Sequence, residues 1–278
     1  MTVPVLIAQI SDLHVKPPGE ILYGISDTAA ALQRCVARLN ALDPRSTCVV
    51  VSGDLTDLGS EAEYAHLRDL LAPLTVPLAV IPGNHDCRAN LRRAFADQPF
   101  AFADGAANLA LRCGDLDLLL LDSSVPDAPH GHLDEATLGW LDRALASAPD
   151  RPALLFLHHP PFRTGIRHMD SQNLDNAAEL AAIIRRHPRL RLVAAGHVHR
   201  ATMTMFAGIA ATICPAPNHA VALDLAADPV PSLVFEPPAF HLHAWFPGEG
   251  FGQIVTHVVQ IGEFGAHPFT AAEPASGP

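Results

Sequence analysis

Five apolar stretches of this chain each run into an aspartate, asparagine or histidine. Residues 3–10 lead into Asp12 and His14, residues 47–52 into Asp54, and residues 77–81 into Asn84, His85 and Asp86. Residues 153–157 lead into His158 and His159, and residues 190–195 into His197 and His199. Imidazole nitrogens with carboxylate and amide oxygens, and no thiolate among them, suit Zn, Mn, Fe or Co rather than an iron–sulfur cluster. Alone, Asp12-Leu13-His14, Gly53-Asp54, Gly83-Asn84-His85-Asp86 and His158-His159-Pro160 also read as ordinary turns or loops. Gly196-His197-Val198-His199 is more specific, because two histidines two apart on an extended segment project the same way. All five pieces fall at strand ends, which leaves little room for coincidence.

The elements that must position these groups alternate. The apolar runs read as buried strands, and a further strand over 116–121 ends at Asp122-Ser123-Ser124. Helices are expected over 27–42 with Asp27 as cap, from the capping box at Ser60 to about residue 71, and over 134–147 and 175–186. After residue 200 only short β-like pieces follow, near 202–206, 209–213, 219–225, 232–235, 241–246 and 253–261. In α/β sheets ligands bind beyond the carboxyl ends of the strands, where all five polar groups fall. Two facing sheets with helices outside are expected, as one domain over residues 1–270. The part over about 201–265 would complete the second sheet or form a cap lobe over the site, and 271–278 reads as a disordered tail.

The chain has 278 residues, 49% hydrophobic and 17% charged, a globular composition. Its formal charge of −11 disfavours binding to duplex nucleic acid. Five scattered cysteines without a C-x-x-C pair favour a reduced cytoplasm over a disulfide framework. No apolar run is long enough for a membrane span, and no secretory signal is expected. The glycine-rich phosphate loop ending in Lys-Ser/Thr is missing, so that route to triphosphate hydrolysis is excluded.

In their order, D-x-H, G-D, G-N-H-D, H and G-H-x-H, the motifs over residues 5–200 resemble the calcineurin-like metallophosphoesterases. The resemblance implies a four-layer α/β/β/α sandwich of two mixed sheets and a dinuclear metal centre. Leu22-Tyr23-Gly24, His158-His159-Pro160-Pro161, Met169-Asp170, Gly196 to Arg200 and the 207–225 segment are similar to the bacterial class III cyclic-nucleotide phosphodiesterases and glycerophosphodiesterases. Carried over, the resemblance gives one metal to Asp12, His14 and His199 and the other to Asn84, His158 and His197. Asp54 bridges them and His159 supports. His85 faces the substrate with Asn84, and Tyr23 and His219 are candidates for the pocket, with a core tyrosine as the alternative for Tyr23.

The implied activity is hydrolysis of small phosphodiesters, 3′,5′-cyclic nucleotides or glycerophosphodiesters. Attack would come from a metal-held hydroxide, with His85 stabilising the phosphoryl oxygens or protonating the leaving group. A phosphomonoesterase or protein phosphatase on the same site is the alternative, and a non-catalytic scaffold is disfavoured because every ligand position is filled. Association into a homo-oligomer would use the C-terminal part. Asp86 is expected to orient a neighbouring loop or His85, or to form a plain turn. Asp122 to Ser124 read as a strand-ending turn or as support behind the ligands. His241 and His243 share a strand face expected at the surface, with a third metal there as the alternative.

Overall fold

The computed structural model describes residues 4–248, 252–265 and 267–269. The first half alternates β1 (Val5–Ile10), α1 (Thr28–Asn40), β2 (Cys48–Ser52), α2 (Glu61–Leu71), β3 (Leu78–Ile81) and α3 (Arg88–Ala94). The second runs β4 (Leu109–Cys113), β5 (Leu116–Leu121), α4 (Glu135–Ala146), β6 (Ala153–Leu157), α5 (Arg167–Asp170), α6 (Ala177–Arg186) and β7 (Leu190–Ala195). Strands follow: β8 (Thr202–Phe206), β9 (Ile209–Ile213), β10 (Ala220–Val221), β11 (Leu233–Val234), β12 (Ala239–Phe246) and β13 (Gln253–Gln260).

The first sheet has the order β13-β12-β1-β2-β3, with β1, β2 and β3 parallel and β12 and β13 antiparallel. The second has the order β4-β5-β6-β7-β9-β8, parallel from β5 to β9 and antiparallel at both edges. Both are mixed sheets. The segment after residue 200 divides between them: β8 and β9 lengthen the second, β12 pairs with β1 and β13 with β12 in the first, and β10 pairs with β11. The 271–278 tail lies outside the described residues.

Apolar periodicity dictates the layers. Leu32, Cys35, Val36 and Leu39 of α1 and Leu67, Leu70 and Leu71 of α2 pack on the outer face of the first sheet. Leu141 and Leu145 of α4 with Leu180, Ile183 and Ile184 of α6 cover the second. Ile7, Val50, Leu118, Phe156 and Trp245 fill the space between the sheets. The result is helix, sheet, sheet, helix.

The helix starts follow their caps. Asp27 accepts from the Ala30 N–H, and Ser60 and Glu63 form a reciprocal capping box. β4 and α3 had no clear signal in sequence. β4 is an edge strand with three of five residues partly or fully exposed, and α3 buries only Leu91, so neither carries an apolar stripe.

Candidate metal centre

All five polar groups lie where parallel strands of the two sheets end. Loops after β1, β2 and β3 bring Asp12, His14, Asp54, Asn84 and His85 from the first sheet. Loops after β6 and β7 bring His158, His159, His197 and His199 from the second. Backbone bonds lock the loops in pairs. Asp12 N–H donates to the Gly53 carbonyl, His14 N–H to that of Asp54, and Gly196 N–H to that of His158.

The imidazoles converge. His14 Nε2 and His199 Nε2 are 3.2 Å apart, and His199 Nε2 is 3.4 Å from Asp12 Oδ1. Asp54 Oδ2 lies 3.5 Å from His14 Nε2 and 3.4 Å from His158 Nε2, so one carboxylate faces both sets of donors. Asn84 Oδ1 is 3.2 Å from His158 Nε2, and His197 packs its ring against that of His158. Asp12, His14, Asp54, His158, His197 and His199 are all buried.

Hydrogen bonds outside the cluster set which nitrogen points in. His158 Nδ1–H donates to the Ser52 carbonyl at 2.9 Å, and His199 Nδ1–H to the His219 carbonyl at 3.2 Å. Each turns its Nε2 inward, the edge that a ligand imidazole offers to a cation. His159 is adjacent but engaged: Ser123 Oγ donates to its Nδ1 at 2.9 Å and its Nε2–H donates to the Pro129 carbonyl at 3.2 Å. These bonds tie His159 to the loop at 123–129, and its ring packs against those of His158 and His197.

The residues fit a cation on their own terms. His197 Nε2 is buried without a partner, although such atoms in folded proteins nearly always find one. Burial, and then the charges of its neighbours, pushes His197 well below the usual imidazole range and His199 to about 3, which keeps both neutral with free lone pairs. Burial also raises Asp12 to about 6. It pushes Asp54 upward too, but His158, His85 and His14 outweigh it and hold that carboxylate well below its ordinary range. Burial pushes His158 down, and Asp54 more than reverses this, to about 9. His14 and His199, nose to nose at Nε2, and two clustered buried carboxylates make an arrangement that positive charge relieves.

Beside the cluster a cavity of about 410 Å³ opens, walled by His85, Tyr23, His219, His168, Met169 and Leu233 among others. His85 N–H donates to Asp54 Oδ1 at 3.0 Å, and its Nδ1–H to the Asp57 carbonyl at 2.8 Å, which leaves Nε2 as its free nitrogen. Tyr23 is no core residue: it is 65% exposed at the cavity rim, its ring 6.2 Å from that of His219. Asn218 holds the His219 segment against the first loop, donating to the Asp12 and Leu13 carbonyls.

Sequence reasoning missed Asp57. Its carboxylate lies 3.8 Å from His14 Nδ1, 3.9 Å from His85 Nδ1 and 2.9 Å from Lys16 Nζ. The spacing Asp54-x-x-Asp57 at the end of β2 was the available signal. Asp86 does orient a loop: it accepts from the Leu55 and Gly83 N–H groups, from Thr56 N–H and Oγ1, and from Tyr64 Oη, clamping the loop that carries Asp54. Asp122 grips Arg88 through two bonds and reaches no ligand, whereas Ser123 holds His159. His241 and His243 are not at the surface. Both are buried between the sheets, because the face of β12 that carries them turns toward the second sheet, where Phe156 packs against His243.

The sequence matches the family described as calcineurin-like phosphoesterase over residues 5–201. It is 38% identical over 266 residues to a protein of Arcobacter nitrofigilis named a probable glycerophosphodiester phosphodiesterase, covering 95% of this chain and 96% of that one. It is 35% identical over 198 residues to a 3′,5′-cyclic-nucleotide phosphodiesterase of Nostoc sp., covering 71% and 72%. The 3′,5′-cyclic adenosine monophosphate phosphodiesterase of Escherichia coli K12 is 34% identical over 197 residues, 70% of each chain. In fold the chain is similar to a dimetal phosphatase of Danio rerio, with a TM-score of 0.65 at 15% identity over 93% of this chain and 100% of that one.

Proposed function

The chain belongs to the calcineurin-like phosphoesterase family, and on that premise we propose that it is a metal-dependent hydrolase of small phosphodiesters. The observation that carries the reading is Asp54, one carboxylate within 3.5 Å of both His14 and His158. Asp12, His14 and His199 would hold one cation, Asn84, His158 and His197 a second, and Asp54 both. Two divalent cations supply Lewis acidity toward the phosphoryl oxygens and acidify a water to a pKa of about 7.

The chain's own residues do the rest. His85 presents Nε2 to the substrate, with its ring oriented by the Asp57 carbonyl, and there it protonates the leaving alkoxide or stabilises the phosphoryl oxygens. Asn84 stands where ligand and substrate meet, and Tyr23 and His219 wall the space for the ester substituent. Among the described residues the cavity wall includes no Lys or Arg. A monoester dianion asks for such groups, whereas a diester monoanion asks for less positive charge than two cations and two carboxylates leave over. The names of the relatives, glycerophosphodiester and cyclic-nucleotide phosphodiesterases, agree with that class. Five unbridged cysteines suit the cytoplasm.

The test is kinetics of protein reconstituted with Mn²⁺ or Zn²⁺ on a matched monoester, linear diester and cyclic diester, with elemental analysis of the same samples. A diester preference and about two ions per chain are expected. Asp54→Ala should retain far less of the second ion. A monoester advantage of about tenfold in kcat/KM moves the assignment to a phosphatase.

A further inference from the structure

Behind the metal centre the space between the sheets holds a polar chain that the reaction does not use. Gln9 of β1 is fully buried, and its Nε2 donates to Ser52 Oγ at 2.8 Å and to the Ala195 carbonyl at 3.0 Å. Its Oε1 meets His243 Nε2 at 3.1 Å, and His243 Nδ1 meets Thr256 Oγ1 at 2.8 Å. The direction of every bond is forced. A carbonyl only accepts, so the amide NH₂ must face Ala195 and the amide oxygen must face His243. His243 must then carry its proton on Nε2, and Nδ1 must accept from the Thr256 hydroxyl. The neighbours in that layer, Ile7, Val50, Phe156 and Trp245, are apolar.

The two residues that Gln9 grips are the last of their strands. Ser52 ends β2, two residues before Asp54, and its carbonyl also accepts from His158 Nδ1. Ala195 ends β7, two residues before His197. A single amide therefore joins the two sheets where each releases a ligand loop. We propose that Gln9, oriented by His243 and Thr256, is a positioning residue that sets the spacing between the Asp54–His158 pair and the His197 loop. The inference rests on the metal reading above and deepens it.

Mn²⁺ binding, by competition with a chromophoric chelator, and kcat and KM on an aryl phosphodiester are measured beside the thermal midpoint. Gln9→Met, of similar length and without the amide, should bind the weaker ion about 10–100-fold less tightly, as for other residues that hold ligands from behind. It should lose kcat with KM little changed. His243→Leu, which leaves the Gln9 amide unoriented, should move the same way, and His243→Gln, which restores an amide donor near the Nε2 position, should recover much of the loss. Nitrogen NMR should show the Nε2–H tautomer of His243. A Gln9→Met protein that melts lower yet binds Mn²⁺ and turns over like the parent overturns the proposal. If that variant does not fold, equal losses in His243→Leu and His243→Gln, or an Nδ1–H tautomer, overturn it instead. Parent protein that binds no Mn²⁺ or other divalent cation fails the metal reading itself, and this inference with it.

Discussion

Gly83→Ala should disable the centre while leaving the fold standing. The methyl group added there would lie 2.5 Å from the Asp54 nitrogen and 2.8 Å from His158 Nε2, and closer still to Asp54 Oδ1. Carbon contacts settle near 3.5 Å, so about 1 Å of movement is required of some partner. The Gly83 loop cannot retreat freely, because its N–H is bonded to Asp86 Oδ2 at 2.9 Å. The displacement therefore falls on Asp54 or His158. Misplacing a reacting array by about 1 Å costs about 10²-fold in rate, and overpacking of this kind costs about 1–3 kcal/mol of stability. The comparison is Gly139→Ala in α4, where only the flexible end of Arg143 is near, at 3.2 Å, and alanine should stabilise by about 0.4–1 kcal/mol. Turnover, ion content and thermal midpoint are measured on both. A Gly83→Ala protein with its full ion content and kcat within about twofold of the parent refutes the steric reasoning.

His85→Ala should keep its ions and lose about 10²–10⁴-fold in turnover, with a smaller loss on substrates whose leaving group needs no proton. An equal loss on all leaving groups, read from kcat across an alkyl and aryl series, leaves His85 only its electrostatic role. Asp57 is held down to about 2: burial pushes it up, but the nearby His14 imidazole and the hydrogen-bonded Lys16 ammonium outweigh this. A carboxylate depressed in the fold stabilises it above the unfolded value near 3.8, and the contribution is lost as the pH falls toward about 2. Denaturant titrations of parent and Asp57→Asn should differ most above pH 4 and converge toward pH 2. A gap that stays constant over that range would contradict the assignment.

The side chains that converge at the seam were legible because each is a polar residue closing an apolar run, a contrast the sequence shows without a partner. Asp57 was not, because its role depends on two imidazoles that reach it from elsewhere, His14 from the first loop and His85 from the third. His241 and His243 misled for a related reason. Alternation along β12 identifies a shared face correctly, but whether that face meets water depends on the second sheet, whose Phe156 packs against His243. Tyr23, a candidate for the pocket with a core position as the alternative, sits at φ 52° in a turn at the cavity rim. Strand order in the first sheet was likewise hidden, since nothing local marks β12 as the neighbour of β1.

The spacing within D-x-H and H-x-H has a structural cause. Asp12, His14, Asp54, His197 and His199 all have positive φ, from 45° to 73°, although none is glycine. That conformation costs about 1–2 kcal/mol per residue, so five such residues oppose folding by about 5–10 kcal/mol, as much as the net stability of many domains. Within each pair the middle residue supplies compensation. Leu13 is fully buried in the core between the first sheet and its helices, and Val198 is fully buried in the matching core of the second. Each turns its side chain inward while its two neighbours are left facing the seam. D-x-H and H-x-H are thus two donors held apart by an apolar plug, and the plugs belong to opposite helix–sheet cores. The donor cluster forms where both cores are packed, which ties the competence of the site to the integrity of both sheets.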